Sequence, residues 1–393
     1  MNFNKIYKII RIIRSRFSPI IQNTVFFDSF GGQYNDNPKY ISEKLHEFDP
    51  NIRIVWSVSN HGKEKPPQYA LQVTTGSKEY YRYAFSSQAT VDNYTGLRVF
   101  GFQSKCGNTI LSKLAIKPGM LSISTWHGTP LKRIGSDYTK KRNRYYCSGT
   151  TYVVAGCQYT KKIIENAYGF YHKVRLYGTP RNDILTNRTN AMALKDKLGL
   201  PQDKKVVLFA PTYRDSVELS GLSQLKALDI EAMLTTLSNT FGGEFGFVFR
   251  VHHRVLESIY SENSGIPLNS NVINGNMYDD MAEYLACTDV LITDYSGSLF
   301  DFALTERPCF LYSPDREQYT NIERGLYIDY SSLPFPEADS IQELLENIAN
   351  FSQRKYLHDL RVFQERIGNI EDGKASERIA KDIIEHIRRN VSK

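Results

Sequence analysis

The feature that most constrains this chain is a succession of short, nearly continuous apolar runs, rich in Val, Ile and Phe, alternating with stretches of helical periodicity. Strands buried on both faces of a parallel sheet read this way, whereas a strand with one wet face alternates apolar and polar residues. A first series comprises "TVFFDSF" (24–30), "IRIVWSV" (52–58), "QATVDN" (88–93), "MLSISTW" (120–126), "YVVAG" (152–156) and "KVRLYG" (173–178). A second comprises "KKVVLFAPTY" (204–213), "FGFVFRVH" (245–252), "NVIN" (271–274), "DVLITDYS" (289–296) and "PCFLYS" (308–313). Intervening stretches such as 340–367 carry helical spacing. The pattern predicts an α/β chain with doubly wound sheets. At 393 residues it is too long for one ordinary core, and the two series are separated by a polar stretch at 181–205. The expected organisation is a helix over 1–22, a first Rossmann-like domain over 23–185, a second over 203–372, and a C-terminal helix over 373–393.

A net charge of +7 points to an anionic partner: phosphate groups, an anionic membrane or nucleic acid. The basic residues are dispersed and no nucleic-acid-binding motif is present, so nucleic acid is not the expected partner. Five cysteines, Cys106, Cys147, Cys157, Cys287 and Cys309, form no CxxC pair, which argues for reduced thiols rather than a disulfide framework or a zinc site. Over residues 1–22, Ile6, Ile9, Ile10, Ile13 and Phe17 recur at helical spacing between Lys5, Lys8, Arg11, Arg14 and Arg16. Such a helix either lies on an anionic bilayer or packs on its own domain. Its apolar run is too short to span a membrane.

In open α/β sheets ligands bind beyond the carboxyl ends of the strands. Those ends carry "FGGQYNDNPK" (30–39), "WHGTP" (126–130) and "YGTPRND" (177–183) in the first half, and "APTYRD" (210–215), "RVHH" (250–253) and "TDYSGSLFD" (293–301) in the second. The last reads as a strand turning into a helix at Ser296, Gly297 and Ser298, where free N–H groups and the helix dipole favour a phosphate. Asp301, one turn further on, is placed to accept bonds from ribose hydroxyls; the alternative is a plain N-cap by Ser296 or Ser298. Arg250 and His252 suit a diphosphate, and Thr212, Tyr213 and Arg214 are further phosphate-friendly types. Ser376 and Arg378, opening a late helix in "DGKASERI" (372–379), either close the donor site from behind or cap and solvate that helix. No GxxxxGK[ST] loop, HExxH cluster or GxSxG elbow occurs, which argues against an ordinary ATPase, a bound metal and an α/β-hydrolase.

Taken together, "FDSFGGQYNDNPKYI", "STWHGTPLKRIG", "YGTPRNDIL", "APTYRD", "TDYSGSLFDFALTERPCFLYSPDREQY", "RGLYIDY" and "DGKASERI", in this order over about residues 24–380, resemble the CDP-glycerol glycerophosphotransferase family of teichoic acid and capsule synthesis. The resemblance implies a GT-B-like fold, two doubly wound Rossmann-like domains facing across a cleft, with the acceptor on the first half and CDP-glycerol on the second. It implies transfer of glycerol phosphate to a polyprenyl-diphosphate-linked saccharide or growing polymer, with release of CMP, by a peripheral protein on the cytoplasmic face of the plasma membrane. A ribitol-phosphate transferase using CDP-ribitol, or a sugar-nucleotide glycosyltransferase on the same fold, is the alternative. His127 lies in the motif that carries the family's catalytic histidine, and a neutral imidazole suits a general base; His252 is the second catalytic candidate. The implied donor site comprises Arg250, Thr212, Tyr213, Arg214, Ser296, Gly297, Ser298, Asp301, Ser376 and Arg378. Thr129, Lys132, Arg133, Arg181 and Asn182 are expected to meet the acceptor or the membrane, with Lys140, Lys141, Arg142 and Arg144 adding to the basic stretch. Thr125 or Thr129 would orient His127. No resident cofactor is expected; Mg²⁺ accompanying the diphosphate is compatible with the chemistry.

Overall fold

A computed structural model describes residues 10, 13–14, 16–60, 62–94, 116–138, 149–187, 191–212, 221–251, 272–316 and 325–391. The chain divides into two compact units: Met1–Thr129 with Ile134–Thr186 and Gly368–Lys393, and Pro130–Arg133 with Asn187–Ile367.

The first unit holds a parallel sheet of seven strands: β1 (Ile21–Asp28), β2 (Arg53–Val58), β3 (Leu71–Thr74), β4 (Ser87–Asp92), β5 (Leu121–Ser124), β6 (Tyr152–Ala155) and β7 (Val174–Leu176). Their spatial order is β3-β2-β1-β4-β5-β6-β7, every pairing parallel. Alternate residues go to opposite faces, as the two-residue period of a strand demands. Val25, Phe27, Ile54, Trp56, Tyr152 and Val154 pack under the helix Asp36–Phe48 and the C-terminal helix Ala375–Val391. Phe26 and Val55 face the helix Lys78–Ser86, and Val153 and Ala155 face the helix Gln158–Tyr168. Where both faces are covered the strand carries a short apolar run, as at Val25–Phe27 of β1 and Tyr152–Ala155 of β6, although the equally buried β4 is SQATVD.

The second unit repeats the plan with six strands: β8 (Lys205–Ala210), β9 (Phe245–Phe249), β10 (Val272–Asn274), β11 (Val290–Thr293), β12 (Cys309–Tyr312) and β13 (Glu337–Ala338), in the order β10-β9-β8-β11-β12-β13 and again parallel. One core face gathers Val207, Phe209, Phe247, Ile292 and Phe310 beneath the helices Ile230–Phe241 and Ile341–Ala349.

These units differ from the expected domains at three places, one of them Pro130–Arg133, expected in the first domain and grouped with the second unit. Residues 187–202, left between the expected domains, group with the second unit, where the Lys197 ammonium meets the Glu283 carboxylate at 2.7 Å. Residues 368–372, expected with the second domain, fold with the first, together with the C-terminal helix. The helix goes there because its stripe Ile379, Ala380, Ile383, Ile384 and Ile387 completes the first core. Two strands, β3 and β13, have no counterpart among the expected runs. Most of the proposed N-terminal helix lies outside the described residues.

Candidate active site

In each sheet the chain reverses its direction of winding between the first and fourth strands, and ligands of doubly wound folds settle at that point beyond the carboxyl ends. In the first unit this is the gap between β1 and β4, with β5 alongside. As β5 ends, the Thr125 N–H donates to the Asp92 carbonyl at 2.7 Å. The next residue, Trp126, takes φ +55, a left-handed conformation that a tryptophan adopts only when its surroundings impose it. Gly128 follows at φ +116.

Those surroundings are a buried polar network. The Asn37 side-chain amide donates to the Trp126 carbonyl at 3.0 Å and the Thr125 carbonyl at 3.4 Å. Arg181 Nη1 donates to the His127 carbonyl and to Asp36 Oδ1, each at 3.0 Å, and its backbone N–H donates to Asn37 Oδ1 at 3.0 Å. A Cβ on Gly128 would collide with Arg181 Nη2, so the glycine is what lets the guanidinium lie across the turn. The His127 ring is fixed separately: Nδ1 sits 3.0 Å from the Asn93 carbonyl at the end of β4. A carbonyl only accepts, so Nδ1 carries the proton and in the neutral ring the lone pair is on Nε2. Trp126 stacks on the imidazole with centroids 4.2 Å apart, and Phe30 and Tyr94 flank it at 6.0 Å each. A half-buried imidazole, held in one tautomer and walled by three aromatic rings, is equipped to remove a proton.

The structure redirects several of the acceptor and membrane candidates. Arg181 is a clasp on the His127 turn, its side chain 15% exposed. Asn182 is buried and donates through Nδ2 to Glu371 at 3.2 Å. Thr129 Oγ1 accepts from the Thr160 hydroxyl at 3.2 Å. Thr125 is buried, its hydroxyl donating to the carbonyl of Asp92 at 3.2 Å. Lys132 and Arg133 belong to the second unit, in a short antiparallel pairing in which the Arg133 N–H meets the Gly325 carbonyl at 2.8 Å and Lys132 bridges Leu326. Lys140, Lys141, Arg142 and Arg144 lie outside the described residues.

Ser376 and Arg378 were expected on the donor side; the structure places them in the first unit. The Asp183 carboxylate accepts the N–H groups of Ala375 at 2.9 Å and Ser376 at 2.8 Å, capping the C-terminal helix from 192 residues away. Arg378 donates to the Tyr177 carbonyl at 3.0 Å and pairs with Asp372. Glu371 accepts the Thr179 N–H with both oxygens, at 3.1 and 2.9 Å, and a Cβ on Gly156 would collide with it. The segments "YGTPRND" and "DGKASER" are thus two halves of one staple. Burial pushes the Asp183 carboxyl up, against the pull of its bonds from Ser376 and Ala375, while the bond from Arg378 holds the Asp372 carboxyl down.

In the second unit the switch point lies between β8 and β11. Fully buried Asp294 accepts the Thr212 N–H at 2.8 and 3.0 Å, joining the two strand ends. The Ser298 hydroxyl donates to Ser296 Oγ at 2.9 Å, and the Ser298 N–H reaches the same oxygen at 3.3 Å, after which the helix Ser298–Ala303 begins. Gly297 is the residue before that helix, and Asp301 is buried within it. Arg250, a donor candidate, follows β9. Its guanidinium donates to the carbonyls of Gly275, Tyr278 and Asp279 at 2.6–2.7 Å and lies 5.0 Å from the Tyr284 ring, so it clasps a loop. His252, Tyr213 and Arg214 lie outside the described residues. Among the described residues no three His, Cys, Asp or Glu side chains gather as metal ligands. Cys157, Cys287 and Cys309 are buried free thiols; burial pushes that of Cys287 up to about 11.

The sequence reading overlooked Asp36, Asn37, Asn93, Asp183 and Glu371. Asp36 and Asn37 stand inside a quoted motif, and Asn93 is the polar residue ending a strand, which is the signal that was available.

A family model described as CDP-Glycerol:Poly(glycerophosphate) glycerophosphotransferase matches residues 10–385. The chain belongs to this family. It is 32% identical over 378 residues to the teichoic acid poly(glycerol phosphate) polymerase of Staphylococcus epidermidis, a match covering 91% of this chain and 50% of that protein. It is 29% identical over 386 residues to the teichoic acid glycerol-phosphate transferase of Staphylococcus aureus, covering 92% and 93%. A structure of the wall teichoic acid polymerase TagF, a histidine-to-asparagine variant with CDPG, matches all of both chains with a TM-score of 0.79 and 27% identity. The chain spans about half the length of the first two curated relatives it matches, 50% and 51%. The two-domain GT-B class expected from the sequence is the class of this glycerophosphotransferase fold.

Proposed function

We propose that this chain moves glycerol phosphate from CDP-glycerol to a hydroxyl of a polyprenyl-diphosphate-linked saccharide or a growing teichoic-acid or capsule polymer. The observation that carries the reading is the bond between His127 Nδ1 and the Asn93 carbonyl, which leaves the lone pair of the neutral ring on Nε2. That nitrogen takes the acceptor's hydroxyl proton while the alcohol oxygen attacks the β-phosphorus. The bond from that phosphorus to the bridging oxygen breaks, and CMP leaves with the electron pair. A positioned base of this kind contributes about 10²–10⁴-fold to a rate.

The donor belongs with the second unit in this reading. The turn at Ser296–Ser298 offers hydroxyls and helix-terminal amides to phosphate, and His252 stabilises the charge that develops on the leaving group; Mg²⁺ arriving with the diphosphate would share that task. The relatives' glycerol-phosphate names support the choice of donor. Attachment to the cytoplasmic face of a membrane is supported by Ile10, Ile13 and Phe17, which are exposed, Phe17 to 85%. Among the described residues no helix is long and apolar enough to cross a bilayer.

Mass analysis of products formed from CDP-glycerol and a synthetic lipid-linked acceptor tests the reading. Added glycerol phosphate with stoichiometric CMP is expected; a ladder of additions marks a polymerase and a single addition a primase. CDP-ribitol and UDP-sugars serve as competing donors. Nucleotide release with either of these and none with CDP-glycerol would overturn the donor assignment.

A further inference from the structure

We propose that Asp36 is the positioning residue of the candidate base, one buried carboxylate from which both holds on His127 are hung. The inference rests on the reading of His127 as the base and names the group that makes it one.

Two independent contacts fix His127, and they converge. The ring is held at Nδ1 by the Asn93 carbonyl, and the main chain is held at the His127 carbonyl by Arg181 Nη1. Asn93 Nδ2 donates to Asp36 Oδ2 at 2.9 Å, and Arg181 Nη1 donates to Asp36 Oδ1 at 3.0 Å. The amide of Asn93 has no freedom to turn, because Nδ2 also donates to Ser29 Oγ at 2.9 Å and Oδ1 accepts the Phe30 N–H at 3.1 Å. The carbonyl that meets His127 Nδ1 belongs to the same residue, so a shift of the anchored side chain is carried to it through Cα. Asp36 therefore acts on the imidazole at one remove, through Asn93, as the carboxylate of a catalytic triad acts directly.

Asp36 is 5% exposed and sits at φ +56. A left-handed, non-glycine residue on one side of the network thus faces another, Trp126, on the other. Strain of this kind persists only where the surrounding contacts over-determine it, and it gathers at functional sites. The chemistry also needs a carboxylate here. The donors to Asp36 include Arg181 Nη1, Asn93 Nδ2 and the Asn37 N–H at 2.8 Å. An asparagine would have to turn an N–H₂ toward one of them. The negative charge is matched by Arg181, so the network holds the ring without adding net charge beside it.

The test uses the full chain. Asp36→Asn and Arg181→Ala, each checked for a cooperative melt, are assayed with CDP-glycerol and the synthetic acceptor. The expected result is a kcat lowered about 10²-fold, the scale of a small misplacement of a reacting group, with KM for CDP-glycerol unchanged. Guanidinium chloride, below denaturing concentration, should restore part of the Arg181→Ala rate. A second measurement reads the wild type itself: in ¹⁵N NMR of histidine-labelled protein, the ring signal that His127→Ala removes from the eight should report protonation at Nδ1. Full kcat in folded Asp36→Asn, or a wild-type ring protonated at Nε2, would overturn the proposal. If Asp36→Asn does not fold, Arg181→Ala and the NMR measurement decide. Activity retained by His127→Ala would sink the base reading instead, and is distinguishable because it leaves the wild-type tautomer signal untouched.

Discussion

The two units share a winding order, yet their switch points are built differently. At the first, three non-glycine residues, Phe30, Asp36 and Trp126, are held left-handed, a glycine is overlain by a guanidinium, and Asn37, Arg181 and Asp36 together hold one turn. Among the described residues of the second, one aspartate joins two strand ends and a pair of serines leads into a short helix. The contrast follows from what each end is asked to do in the proposed reaction. A base must meet a proton within a few tenths of an ångström, so its turn is over-determined. A phosphate accepts bonds from many directions, so a turn with a few donors suffices.

The largest expected effect tests the demanding end. His127→Ala should lower transfer by about 10²–10⁴-fold while calorimetry with CDP-glycerol shows unchanged affinity, since the donor is assigned to the other unit. Turnover above about a tenth of wild type would remove the contrast on which the comparison rests. Next comes Gly128→Ala. The new methyl collides with Arg181 and the residue is forced to keep φ +116. We expect a loss of about 10²-fold in kcat from displacing the turn, with the melting transition still cooperative. A wild-type rate would show that the guanidinium clasp is dispensable.

How far the sequence discloses this arrangement depends on the length scale of each interaction. Strands such as β1 and β11 are legible because a strand covered on both faces must be apolar throughout. β3 and β13 are not, because neither forms an apolar run: β3 is "LQVT", with only Val73 buried, and β13 is two residues long. His127 stands out only through the resemblance of its motif, since a histidine in a tight turn has no local signature. Asp36, Asn93 and Arg181 were invisible as a group because they come from three separate segments, Asp36 and Arg181 being 145 residues apart. The partners of Ser376 and Arg378 were hidden for the same reason. A helix start with a serine and an arginine reads equally as a donor contact or a cap, and the sequence does not name Asp183, which takes the N–H groups of Ala375 and Ser376.

The smaller effects belong to the lighter end. Asp294→Ala removes both bonds to the Thr212 N–H in a fully buried setting, so it should destabilise the second unit by about 1–3 kcal/mol in urea unfolding. The rate per folded molecule should change less than in Gly128→Ala, because no reacting group hangs from this clamp. Ser296→Ala should do least. It removes an oxygen that takes the Ser298 hydroxyl at 2.9 Å and the Ser298 N–H at a long 3.3 Å, a contact of the N-cap kind, for which a loss of about 0.5–1 kcal/mol is the upper expectation. If Ser296 meets the donor's phosphates as proposed, KM for CDP-glycerol should rise while kcat holds. A kcat lost with KM unchanged would mean that this turn is as geometrically demanding as the one at His127, and the explanation of the contrast would have to be abandoned.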